Sequence, residues 1–143
     1  METKTNTNNA FLIHISALSS IVFPIMGVVL PLVLWQVKKD QSEFLDRHGK
    51  EAVNFNISYL LYTFILGLAF IPMFIVSFFR NINNIGYWED NFFLDLPNLF
   101  GFFGGISLIA VLGIAWFVLV LLAAVKANQG EFYKYPFTIK FLK

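Results

Sequence analysis

Three long stretches without Asp, Glu, Lys or Arg decide what this chain can fold into. They cover residues 11–37, 57–79 and 99–125. A single helix over 11–37 would reach about 40 Å, against about 30 Å for the hydrocarbon core of a bilayer. Uncharged apolar stretches of this length indicate membrane-spanning segments. Charged residues make up 13% of the chain, about half the share usual in soluble domains. The 18 Phe would be hard to hide in a water-soluble core of this size. These features predict an all-α, polytopic helical membrane protein. Residues 11–143 read as one transmembrane domain, and the polar Asn/Thr-rich residues 1–10 as a disordered tail.

The first run is interrupted by Pro24, Gly27 and Pro31. Proline removes a backbone donor and clashes with the preceding turn. The run therefore reads either as one kinked span or as two short half-helices in a re-entrant hairpin. Three or four membrane helices follow, depending on that choice. The second run carries Pro72, a further expected kink. The third has no proline.

Lys38, Lys39, Arg47 and Lys50 lie in the 38–51 loop, and Lys126, Lys134, Lys140 and Lys143 in the C-terminal segment. The 80–98 loop holds Arg80 with Glu89, Asp90 and Asp95. The positive-inside rule places the 38–51 loop and the C-terminus on the cytoplasmic side of the membrane. The 80–98 loop falls opposite, with Tyr87 and Trp88 suited to the interface.

The chain has no Cys and two His. Thiolate metal sites, disulfides and Cys nucleophiles are excluded, and no cofactor or metal is expected. A net charge of +1 gives no ground for nucleic-acid binding. The expected partners are the lipid bilayer and other membrane subunits. "DRHGKE" lacks the spacing of a zinc-protease helix. No acid lies within the three runs, which argues against a proton-coupled transporter.

The densest charge is in "DRHGKEAVNF", residues 46–55. Helical spacing pairs Asp46 with Lys50 and Arg47 with Glu51, and Asp40 or Ser42 suits the N-cap. Arg47, Glu51, Asn54, Ser58 and Tyr62 follow at intervals of 4, 3, 4 and 4, with His48 beside them. This polar line descends into the second run. Facing lipid it would leave polar groups unpaired, so it reads as a surface for protein, a partner subunit or a wet cavity. His14, near the start of the first run, reads as an intramembrane polar residue bonded to a neighbouring helix.

Gly101 and Gly105 have the GxxxG spacing that lets helices approach closely. In the C-terminal segment Asn128 or Gly130 suits a helix end. Tyr133, Lys134, Tyr135 and Lys140 then combine aromatic and basic groups, the composition of a membrane-interface anchor.

Residues 12–62, containing "DRHGKEAVNF", and 122–143, containing "KANQGEFYKYP", resemble the two end motifs of a widespread bacterial domain-of-unknown-function family. That family is grouped with the twenty-kilodalton Tic subunit of the chloroplast inner-envelope import machinery. The resemblance implies a non-enzymatic membrane protein with no catalytic residues to transfer. It also implies an accessory or channel-like role in protein translocation or transport. The alternative is a structural or lipid-interacting protein, or an accessory subunit of a larger membrane complex.

Overall fold

The computed structural model describes residues 3–83 and 103–143. Its regular elements are all helical, with no strand among the described residues. In order they are α1 (Lys4–Ile15), a 3₁₀ helix Ser16–Ile21, α2 (Met26–Lys38), a 3₁₀ turn Lys39–Gln41, α3 (Glu43–Asn83) and α4 (Gly105–Asn128). The expected 80–98 loop falls mostly, and Gly101 wholly, outside the described residues.

The broken first run resolves as a hairpin. Its two helices have 12 and 13 residues, about 18–20 Å each, so neither can cross a bilayer alone. Pro24 sits in the turn between them. Gly27 at the start of α2 lies against Ala17 and Ser20: a Cβ there would meet the Ser20 Cβ at 2.5 Å. Further along, Leu34 packs against the cluster that holds Ala10 and Ile13, and α2 returns along α1.

The expected disordered tail is corrected: residues 4–10 belong to α1. The Thr3 hydroxyl caps the helix by accepting the Asn6 N–H at 3.2 Å, and Thr7 and Ala10 are buried. Polar composition concealed the helix because its stability comes from a cap and from contacts distant in sequence.

Among the described residues two helices, α3 and α4, are long and apolar enough to span a membrane, where the sequence predicts three or four. Helix α3 is capped by Ser42, whose hydroxyl accepts the Leu45 N–H, and continues through Pro72. Phe64, Ile65 and Leu68 on α3 are 55–63% exposed, as are Ile109 and Ile114 on α4 at 62% and 66%. Apolar surface this extensive needs an apolar cover, which a bilayer supplies.

The described residues form two compact units, residues 1–61 with 115–143 and residues 62–114. In the first, α3 and α4 run antiparallel. Trp116 donates its indole N–H to Asn56 at 3.0 Å, and Ala52 packs with Ala127. Gly130 (φ +78°) stops α4, with Glu131 N–H returning to Lys126 C=O and Gly130 N–H to Ala127 C=O. This left-handed cap turns the tail back over α3. In the second unit Phe70 packs against Gly105. An apolar groove of about 300 Å³ runs there between α3 and α4, past Gly67, Phe74 and Ile109.

Candidate functional site: a helix end closed by its own tail

The last turn of α1, the second turn of α3 and the C-terminal tail converge on two histidines. His14 Nε2 lies 2.8 Å from His48 Nδ1, and His14 Nδ1 lies 3.0 Å from the Tyr135 hydroxyl. Both imidazoles are fully buried. Phe44 and Phe132 flank His48, with ring centroids at 4.3 and 5.3 Å. Burial, with Tyr133 and Glu51 nearby, pushes the Tyr135 phenol well above its usual range, so it remains an O–H. The two hydrogen bonds are coupled through the His14 ring. If Tyr135 donates to His14, His14 donates to His48 and the His48 Nε2 carries its proton. If Tyr135 accepts, that nitrogen presents a lone pair. His48 Nε2 and Glu51 Oε2 are buried without a hydrogen-bond partner.

One turn further, Asn54 holds the end of the chain. Its Oδ1 accepts the backbone N–H of Phe141 (3.1 Å) and Leu142 (2.8 Å), and its Nδ2 donates to Leu142 C=O (2.9 Å). Ser58 accepts the Ile139 N–H at 2.9 Å and donates to Asn54 C=O. Tyr135 stacks on Phe55, centroids 4.0 Å apart and planes 8° from parallel. The polar line on α3 therefore faces a polypeptide segment that lacks regular hydrogen bonds of its own, and it satisfies that backbone where it is covered.

The charged residues divide. Asp46 accepts from Lys50 at 2.6 Å and from the Trp35 indole at 2.9 Å, linking α2 to α3. The expected Arg47–Glu51 pair does not form. Arg47 instead lies over the Phe132 ring, 4.4 Å from its centroid. Tyr62 is exposed and falls in the other unit. Gly105 starts α4, and its fellow Gly101 is outside the described residues. Tyr135 is corrected from interface anchor to core residue: it is 2% exposed. Tyr133 is half-buried, edge-on to Tyr135, while Lys134 and Lys140 are exposed.

Sequence reasoning missed Trp35, Gly49 and the Asn56–Trp116 bond. Gly49 carried a usable signal, because a glycine inside a strong helical pattern costs stability unless something packs against it. Here the Trp35 indole does so.

The fold and this site define a small all-helical protein, with two helices among its described residues long and apolar enough to span a membrane, whose charged end is closed by its own C-terminal tail. Residues 5–142 match the family model described as the magnetosome magnetite crystal formation protein family, MamF/MmsF. The chain belongs to that family. No curated protein and no solved structure matches it. The resemblance to the Tic-like family is thereby corrected, and the translocation role it implied has no support. The strings that carried it have structural duties: Asp46, His48, Gly49 and Asn54 join helices to one another and to the tail. Such a joint says how the chain is fastened, and nothing about translocation.

Proposed function

We propose that the protein is a non-enzymatic accessory component of the magnetosome membrane that supports magnetite crystal formation. Its tail-closed end faces the cytoplasm as a platform for other membrane proteins. Family membership supplies the process. The observation that carries the platform reading is the use of Asn54 and Ser58 to hold residues 139–142. Side chains that could have lined a polar passage are occupied by the chain's own backbone. The orientation rests on the lysines and arginine of residues 38–50 and 126–143, which the fold gathers in one unit, and on the positive-inside rule.

The test is complementation in a magnetite-forming bacterium lacking its own copy of the gene. Wild-type protein should restore crystal size and number under electron microscopy. The doubly substituted Asn54→Leu/Ser58→Ala protein should reach the magnetosome membrane yet leave crystals small or few. Normal crystals in the deletion strain would refute the role. Full rescue by the double variant would refute the platform.

A further inference from the structure

The tail forms one wall of a groove whose other wall is the charged start of α3. The groove has a volume of about 330 Å³ and is lined by Arg47, Lys50, Lys134, Lys140 and Lys143, with Glu51 the single carboxylate among its described lining residues. Lys50 is held by Asp46. Arg47, Lys134, Lys140 and Lys143 form no ion pair with a described residue, so cationic groups outnumber carboxylates along the groove. Like charges gathered this closely repel one another, and an anion in the groove relieves that repulsion. Asn54 and Phe132 complete the walls.

The surroundings of the groove select the kind of anion. Phe132, Phe137 and Phe141 alternate with the tail lysines and are 40%, 89% and 47% exposed. Phe137 has a left-handed backbone (φ +54°) and is the most exposed of the three. Exposed aromatic rings interleaved with ammonium groups suit the boundary between headgroups and acyl chains. On α3 the apolar run begins at residue 57, within two turns of Glu51. A soluble phosphate would gain nothing from these rings, whereas a phospholipid meets both features at once.

We infer that this groove binds the phosphate headgroup of an anionic phospholipid. Arg47 supplies the α3 wall, and Lys134, Lys140 and Lys143 the tail wall. The site depends on the tail's position and is independent of any role in crystal formation.

Native mass spectrometry of the full chain in detergent tests the inference, with phosphatidylglycerol and phosphatidylcholine offered in equal amounts. Phosphatidylglycerol should be retained in preference. Lys134→Gln/Lys140→Gln should weaken its retention about thirtyfold, from about fivefold per lysine. Lys4→Gln/Lys38→Gln removes the same charge outside the groove and should leave retention unchanged. Neither Lys134 nor Lys140 bonds to a described residue, so the double variant should keep its helical circular dichroism. Equal retention of the two lipids would overturn the inference. So would equal losses in the two double variants, or displacement of the lipid by a tenfold excess of inorganic phosphate.

Discussion

Replacing Asn54 with Leu should release the C-terminal tail while leaving the helices in place. The substitution removes three hydrogen bonds, from Phe141 N–H, from Leu142 N–H and to Leu142 C=O. At about 1 kcal/mol net each, the closed form loses roughly 3 kcal/mol. That is enough to shift a marginally stable segment from mostly closed to mostly open. Leu has the same number of side-chain heavy atoms as Asn, so the shape of the side chain changes little. Limited proteolysis should then cut within residues 131–143 at least tenfold faster than in wild type, with helical circular dichroism retained. Asn54→Asp keeps the acceptor for the two N–H groups but turns a second oxygen towards Leu142 C=O, and should give an intermediate rate. Unchanged cleavage in Asn54→Leu would show that Tyr135 and its stacking on Phe55 hold the tail without help.

The second large effect is expected at Gly49. A Cβ built there would lie 2.1 Å from Cδ1, 2.4 Å from Cγ and 2.7 Å from Cβ of Trp35. The indole cannot withdraw cheaply, because its N–H is bonded to Asp46 and the ring is buried. Gly49→Ala improves intrinsic helix propensity by about 1 kcal/mol, yet the clash reverses the sign. The net loss should be about 2 kcal/mol, within the range for overpacked cores. The α1–α2 hairpin should loosen from α3, with a lower midpoint of thermal unfolding and red-shifted Trp35 fluorescence. Adding Trp35→Leu to Gly49→Ala makes room for the methyl, so the two changes should cost less together than the sum of their separate effects. Strict additivity would mean that Trp35 is not what confines Gly49.

Local rules made part of this fold legible. The proline-broken first run, the Ser42 cap, the Asp46–Lys50 pair and the glycine stop at 130 each depend on residues within a few positions of one another. The polar line on α3 was also visible, as an i, i+4 repeat. What it faces was not, because Asn54 and Leu142 are 88 residues apart and His14 and Tyr135 are 121 apart. No local period encodes such pairings. The tail shows the same limit. Its mix of aromatic rings and lysines is the same whether a ring faces lipid or core, and partners distant in sequence, His14 and Phe55, mark buried Tyr135 off from exposed Phe137. The family, too, was beyond the local rules, because the strings that suggested a Tic-like relative serve the internal joint.

The central claim is that α3 holds the C-terminal tail through its polar line. The chain has no Cys, so a single engineered pair reports on it without background. Ser58→Cys/Ile139→Cys replaces two residues now joined by a 2.9 Å hydrogen bond and leaves Asn54 intact. After mild oxidation in native membranes, mass spectrometry of the protease digest should find most molecules with residues 58 and 139 linked within one chain. Thiols at both positions that stay free for alkylation under the same oxidation would contradict the account.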